Sequence, residues 1–242
     1  MITERIFHMK IYGFQKLTLL DYPEHVAATI FTGGCNYRCP FCHNGELISL
    51  DKLRSEDMFS DEEILKILKK RAGVLEGVCI TGGEPTLQPD LPEFIKKVRA
   101  LGYKIKLDTN GYRPEILKTL CEEGLIDHVA MDIKSSREHY GEVAGVPALQ
   151  INRIEESVNF LMKNSVPYEF RTTVVPELHT EEDFLTIGQW LKGDSPYYLQ
   201  GYRDSEQVLE RRFSQPTAEL MKHIRDILLP YLPNTHLRGI DG

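Results

Sequence analysis

The 242-residue chain predicts an α/β fold of parallel strands with helices outside, arranged as a partial (β/α)6 barrel. Three observations predict it. Strand-like apolar runs alternate with helical patterns six times across residues 26–230, and such alternation with short loops gives a parallel sheet through right-handed crossovers. Six units are too few to close an eight-stranded barrel. Three neighbouring strands also carry one charged and one apolar face. A sheet covered by helices on both sides takes apolar residues on both, whereas a barrel open on one side keeps a wet, polar lumen.

In chain order, Val26–Thr32 is the first strand, and a cysteine-rich loop follows it. Ser60-Asp-Glu-Glu63 is a capping box that opens a helical stripe through Ile64, Leu65, Ile67 and Leu68. Gly77–Thr81 is a short strand. Asp90-Leu-Pro-Glu93 signals the next helix, which carries Phe94, Ile95, Val98 and Leu101 and stops at Gly102. Tyr103–Asp108 alternates as a strand, with Lys104, Lys106 and Asp108 on one face and Tyr103, Ile105 and Leu107 on the other. Pro114 opens a helix that ends at Gly124. Asp127–Lys134 is a strand with His128, Ala130, Asp132 and Lys134 opposite Val129, Met131 and Ile133; Ile154–Asn164 is its helix. Tyr168–Val175 sets Glu169, Arg171 and Thr173 against Tyr168, Phe170 and Val174. Thr180-Glu-Glu-Asp183 caps a helix running to Gly193, Tyr197–Tyr202 is the sixth strand, and Pro216–Leu229 the sixth helix. One domain is expected over 1–242, with 1–25 an N-terminal segment at the site mouth and 231–242 a C-terminal tail.

Composition bounds the function. A net charge of -7 with both signs interspersed argues against nucleic acid or an anionic membrane as the main partner. Met1–Lys10 lacks the charged and apolar regions of a signal peptide, and no apolar run approaches membrane-spanning length. The five cysteines read as reduced thiols of a cytosolic protein.

Three of those cysteines, Cys35, Cys39 and Cys42, fall in a Cys-x3-Cys-x2-Cys loop opened by Gly33-Gly34. Thiolates suit zinc or iron–sulfur clusters, and a cubane cluster has four iron corners to ligate. Cys79 and Cys121 lie far along the chain in apolar segments, so a cubane held here would keep one iron open. A structural zinc loop with a distant ligand such as His43 is the alternative; zinc ribbons and ferredoxins use other spacings. At strand ends, where such folds place chemistry, stand Thr81-Gly-Gly-Glu-Pro85, Asp108-Thr-Asn-Gly111 and Asp132-Ile-Lys134.

Spacing and flanks resemble the radical S-adenosylmethionine (SAM) superfamily, whose motif has an aromatic residue, here Phe41, before the last cysteine. The resemblance implies a partial (β/α)6 barrel of radical SAM type and a [4Fe-4S] cluster on Cys35, Cys39 and Cys42. There the open iron is chelated by the methionine end of SAM, and the reduced cluster cleaves SAM to a 5'-deoxyadenosyl radical. It implies further that Gly82, Gly83 and Glu84 hold the SAM amino group and that Phe41 lies beside adenine. Asp108, Thr109, Asp132 and Lys134 resemble segments of the glycyl-radical-enzyme activating branch, where the aspartates help bind a monovalent cation and the methionine end, and the lysine meets the SAM carboxylate. Arg171 and Arg203, at later strand ends, are further SAM-binding candidates, with a structural ion pair as the other reading of each.

Gly13–Pro23 resembles the segment that lines the site mouth in activating enzymes and meets the partner's glycine loop, making Asp21 a partner-loop candidate; an edge strand and turn is the plainer reading. Tyr22-Pro23 at its end matches activating proteins of anaerobic ribonucleotide reductase. Between Cys42 and Cys79 there is no further cysteine, so one cluster is expected, reduced by a flavodoxin or ferredoxin. Activation of another glycyl radical enzyme of the pyruvate formate-lyase type, small-molecule chemistry on a deazapurine precursor, and a non-enzymatic electron-transfer or zinc protein are the rival readings.

Overall fold

The predicted alternation folds into one eight-stranded sheet whose strands lie in chain order from edge to edge. The structure is a computed structural model and describes residues 9–163 and 166–239. Strand β1 (Ile11–Thr18) runs antiparallel to β2 (Ala27–Thr32). Then β3 (Gly77–Gly82), β4 (Lys104–Thr109), β5 (His128–Asp132), β6 (Tyr168–Val174), β7 (Tyr197–Gly201) and β8 (Thr235–Arg238) follow, each parallel to the one before. The helices between them are α1 (Asp61–Arg71), α2 (Leu91–Arg99), α3 (Pro114–Glu122), α4 (Tyr140–Val143), α5 (Ile151–Leu161), α6 (Glu181–Trp190) and α7 (Ala218–Leu228). The sheet is unclosed, since β1 and β8 are its two edges.

Local chemistry sets most boundaries. The Ser60 hydroxyl accepts from the Glu63 amide at 3.2 Å while the Glu63 carboxylate accepts from the Ser60 amide at 2.9 Å, which satisfies two orphan donors at the start of α1. Thr180 and Asp183 repeat the arrangement at α6. Asp90 precedes α2 as expected but makes no capping bond; Pro92, whose missing N–H is harmless in the first turn, accompanies the start instead. Helix α5 begins at Ile151, before the expected Ile154, and the expected end at Asn164 lies outside the described residues.

Strand parity holds in three dimensions. Ile105, Leu107, Val129, Met131, Ile133 and Phe170 are fully buried in the core beneath the helices. The charged residues of the opposite parity, Lys106, Asp108, Asp132 and Arg171, meet one another on the concave side.

Both ends of the sheet exceed the six-unit expectation. Strand β1 comes from the segment assigned to the site mouth, and β8 from the stretch after 231 expected as a tail. Four residues are too few to show a period, so β8 is visible only once β7 offers it an edge. Arg238 on β8 makes a two-pronged ion pair with buried Glu169, at 2.7 and 2.8 Å. Met1–His8, read above for a leader sequence, and Ile240–Gly242 lie outside the described residues.

The turn between β1 and β2 closes the amino end of the barrel. Tyr22 is buried, sits edge-on to His25 at 4.6 Å between ring centres, and approaches His128 at the start of β5. Gly77, which begins β3, makes the space: a Cβ there would lie 2.7 Å from the Tyr22 ring.

Candidate active site

At the carboxyl end of the strands the cysteine loop leaves β2 and is gripped from two sides. Gly34, with φ of +90°, donates to the Leu47 carbonyl at 2.7 Å, and Cys35 donates to Ile48 at 3.1 Å. From the other side the Glu84 amide donates to the Gly34 carbonyl at 2.8 Å. A Cβ on Gly83 would fall 2.1 Å from that carbonyl oxygen. The second glycine of Thr81-Gly-Gly-Glu-Pro85 is thus required for the turn after β3 to lie flat against the cysteine loop.

Cys35, Cys39 and Cys42 are all free thiols and line one cavity of about 370 Å3, within the range of small-molecule sites. Phe41, Glu84, Asp108, Asp132, Lys134 and Arg171 share its wall, as do Asp21, His43, Gly82, Gly83 and Thr109. Burial pushes the Cys35 thiol up to about 12, helped by the nearby Glu84 charge, and Cys39 up to about 11, with Lys134 pulling the other way. Burial raises Cys42 too, again against Lys134. These thiols hold their protons until a metal displaces them.

The donor set fits an iron–sulfur cluster. Among the described residues no three His, Cys, Asp or Glu side chains converge as a single-ion site, while a zinc ion draws four ligands into one tight tetrahedron. Three thiols spread along one cavity wall suit a body with several metal corners. Beside them, carboxylates and cations alternate, as a pocket for a ligand carrying an ammonium and a carboxylate needs.

That alternation is a relay of ion pairs across β4, β5 and β6. Arg171 donates to Asp132 Oδ1 at 3.0 Å and to Asp108 Oδ2 at 3.1 Å. Lys134 donates to Asp132 Oδ2 at 3.0 Å, and buried Lys106 pairs with Asp108. Burial opposes ionisation of both aspartates, but Lys134 and Arg171 outweigh it at Asp132 and hold it at about 2. Arg171 and Lys106 likewise hold Asp108 below the usual carboxylate range. Burial would lower Lys134, but Asp132 and Cys39 outweigh it and raise it well above an ordinary lysine. The two aspartates, expected to help bind a monovalent cation, therefore have guanidinium and ammonium groups as their cationic partners.

Glu84 is turned inward. Its Oε1 accepts from the Thr86 amide and hydroxyl and the Thr109 hydroxyl at 3.0, 2.6 and 2.7 Å; its Oε2 accepts from the Asn110 amide at 2.7 Å. Burial pushes its carboxyl up, against the pull of the Asn110 bond. The expected acceptor for a ligand's ammonium is thus also the brace that ties the turn after β3 to the end of β4, with Thr109 as part of that brace.

Three expected residues are placed differently. Arg203 is absent from the cavity wall; its guanidinium donates to the Gly239 carbonyl at 2.8 Å, because the chain turns outward after β7. His43 Nε2 lies 2.5 Å from the Arg203 carbonyl, and its ring stacks on Tyr202 at 5.8 Å between centres. Asp21 lies on the cavity floor: it accepts from Thr29 Oγ1 at 2.5 Å, three residues and about 10 Å below the carboxyl end of β2. The edge strand and turn is what the Gly13–Pro23 segment forms.

Sequence reasoning passed over Tyr37, Asn110 and Gln200, which also line the cavity, and Lys106 beneath it. Lys106 had a signal, since its parity matches Asp108. Asn110 sat inside the Asp108–Gly111 motif without being singled out, and Gln200 had no signal.

Residues 29–191 match the sequence profile of the radical SAM superfamily. That is more than half of the chain, and the protein belongs to this superfamily. It is a radical SAM enzyme whose cofactors are a [4Fe-4S] cluster and SAM. Across 240 residues, 96% of this chain and 97% of the other, it is 32% identical to a protein of Methanocaldococcus jannaschii named "Putative glycyl-radical enzyme activating enzyme". Among solved structures it resembles Streptococcus suis SuiB bound to precursor peptide SuiA, with a TM-score of 0.68 at 14% identity over 87% of this chain; it spans about half (48%) of that protein. It also resembles QueE from Escherichia coli, with a TM-score of 0.57 at 15% identity, covering 95% of this chain and 92% of that one. These likenesses in structure are of fold. Among the described residues no helix is long and apolar enough to cross a membrane.

Proposed function

We propose that this radical SAM enzyme installs a glycyl radical on a partner enzyme, and that the partner is anaerobic ribonucleoside-triphosphate reductase. The observation that carries the first part is the end-to-end similarity to the M. jannaschii protein, 96% of one chain against 97% of the other. The choice of partner rests on the Asp21-Tyr22-Pro23 resemblance. A flavodoxin or ferredoxin supplies the electron in the cytoplasm.

Cys35, Cys39 and Cys42 would hold the cluster. When bound, it would supply the electron for a SAM cleavage that ends in loss of a hydrogen from a glycine Cα of the partner. The protein's share is orientation and exclusion of water. Lys134 offers its ammonium to the SAM carboxylate from beside Cys39 and Cys42. Arg171 fixes Asp108 and Asp132 so that neither moves when ligand enters. Glu84 and Thr109 hold the turn at Gly82 and Gly83 against the cysteine loop, and Phe41 presents a ring for adenine. With only Cys79 and Cys121 besides the loop, one deep in the lumen beside Asp108 and one on α3, a single cluster is the expected complement.

The test is anaerobic electron paramagnetic resonance of the reconstituted enzyme with SAM, a reductant and the anaerobic reductase of the same genome. A glycyl doublet that vanishes with Cys39→Ala supports the reading. Deoxyadenosine without a doublet retains radical SAM chemistry but removes this partner, and turnover stimulated by a purine precursor alone moves the protein to small-molecule chemistry.

A further inference from the structure

Asn110, just after β4, is where the turn ending that strand meets the cysteine loop. It is buried, at 6% exposure, and its backbone amide, side-chain oxygen and side-chain nitrogen each have a partner. Its amide donates to Glu84 Oε2 at 2.7 Å, its side-chain oxygen accepts from the Tyr112 amide at 3.0 Å, and its side-chain nitrogen donates to Asn36 Oδ1 at 2.9 Å. A side-chain amide has two hydrogens on nitrogen. With one on Asn36, the other is aimed at Cys35 Sγ, 3.9 Å away. The oxygen cannot exchange places with the nitrogen, because Tyr112 brings a donor and Asn36 an acceptor. The backbone amide of Tyr37 gives the same sulfur a second N–H, at 3.3 Å.

Cys35 is set apart from its two fellows by these contacts. Cys39 and Cys42 feel the Lys134 ammonium, whereas the charge that acts most on Cys35 is the buried Glu84 carboxylate. N–H groups aimed at a sulfur ligand stabilise the more negative, reduced form of a cluster, and hydrogen bonds to the sulfurs are among the levers that set its potential.

We propose that Asn110 is a positioning residue that raises the cluster's reduction potential by holding a side-chain N–H on Cys35 Sγ, with Asn36 fixing its direction. The proposal rests on Cys35 being a cluster ligand. Asn110 thereby joins the turn after β3, the end of β4 and the cysteine loop.

An equilibrium redox titration of the reconstituted enzyme, read by the paramagnetic signal of the reduced cluster, tests it. Asn110→Asp removes the donor, keeps an oxygen for Tyr112 and adds a carboxylate near the sulfur; its midpoint potential is expected to fall. Asn36→Ala leaves the donor but frees its direction, and its potential is expected to fall by less. The added carboxylate lowers the Asn110→Asp potential whether or not the N–H acts, so Asn36→Ala, which adds no charge, decides: a lowered melting temperature with its potential at the wild-type value is a structural role alone and overturns the proposal. Should Asn110→Asp fail to fold, an unchanged potential in cluster-loaded Asn36→Ala overturns it as well. Cys35→Ala, assayed alongside for iron content, separates the two levels. Full cluster content there removes the ligand assignment itself, whereas lost content with unmoved Asn110 and Asn36 potentials removes only the role given to Asn110.

Discussion

The two ends of the half-barrel are both lined with charge and aromatic rings, yet they are built for opposite purposes. At the carboxyl end, ionisable groups surround a cavity and three thiols line it. At the amino end, buried Tyr22 packs on His25 beside a second cavity, and Arg238 neutralises Glu169 with both prongs. Between them the Lys106–Asp108–Arg171–Asp132–Lys134 relay crosses the lumen. Similar residue types therefore line a hollow at each end, and what differs is that thiols line the carboxyl-end cavity while rings and ion-paired carboxylates line the amino-end one.

The sharpest way to break this contrast is to damage each end in turn. Cys39→Ala is expected to abolish cluster absorption and reduce deoxyadenosine formation to background while the protein stays folded. Tyr22→Ala is expected to cost about 3–5 kcal/mol of stability by opening a cavity, with cluster content per folded molecule retained. Iron analysis beside urea denaturation reads both; a Tyr22→Ala protein that is stable but cannot load iron would reverse the assignment of the ends.

Next in size are the ion pairs. Arg171→Met leaves Asp108 with Lys106 and Asp132 with Lys134 as their remaining cations, so its cost should fall below the roughly 3–5 kcal/mol of a fully uncompensated buried charge, and it should weaken SAM binding measured by equilibrium dialysis. Arg238→Met strands Glu169 at a comparable cost in stability but should leave SAM affinity unchanged.

A smaller effect separates the cavity from the helix start beside it by pH. Asp132 is held at about 2 by Lys134 and Arg171, which outweigh its burial. A carboxyl lowered by folding contributes its full stabilisation above the unfolded value near 4 and loses it as pH falls through the folded value. Stability should therefore hold from neutrality to about pH 4 and decline between about pH 4 and 2. Asp183 at the start of α6 is also held at about 2, by Ser136 and Thr180 against burial. Asp183→Asn should flatten part of that decline without altering SAM binding, whereas Asp132→Asn alters both.

The smallest change is Asp21→Asn. Losing the charge on the Thr29 contact is expected to cost about 1 kcal/mol. From the cavity floor it should leave affinity for the partner reductase unaltered in a pull-down titration; a large loss of affinity would restore Asp21 to the mouth.

Much of this was legible in the residues. The cysteine spacing marks the loop whose three thiols line the cavity, the three strand-end motifs converge on that cavity, and strand parity alone separates the charged face of β4, β5 and β6 from the apolar one. A period of two is a local property, so sequence reveals it. Hydrogen-bond partners across strands are not local. Glu84 could have faced a ligand or the protein, and only the approach of Thr86, Thr109 and Asn110 decides that its oxygens brace a turn. Arg203 and Arg171 both stand near strand ends and read alike, yet the outward course of the chain after β7 takes one to the Gly239 carbonyl while register opposite Asp132 brings the other into the lumen. The turn at Asp21 looked like a mouth because of what it resembles, and the antiparallel return of β1 puts it at the floor.

The sequence by itself determined the thiol loop, the six strand–helix units and the face on which each charge lies, because spacing and periodicity act over a few residues. Tertiary structure alone decided which charges pair, which acceptors remain for a ligand, and which end of the barrel is open. Those outcomes depend on register and on chain segments distant in sequence competing for the same buried atoms.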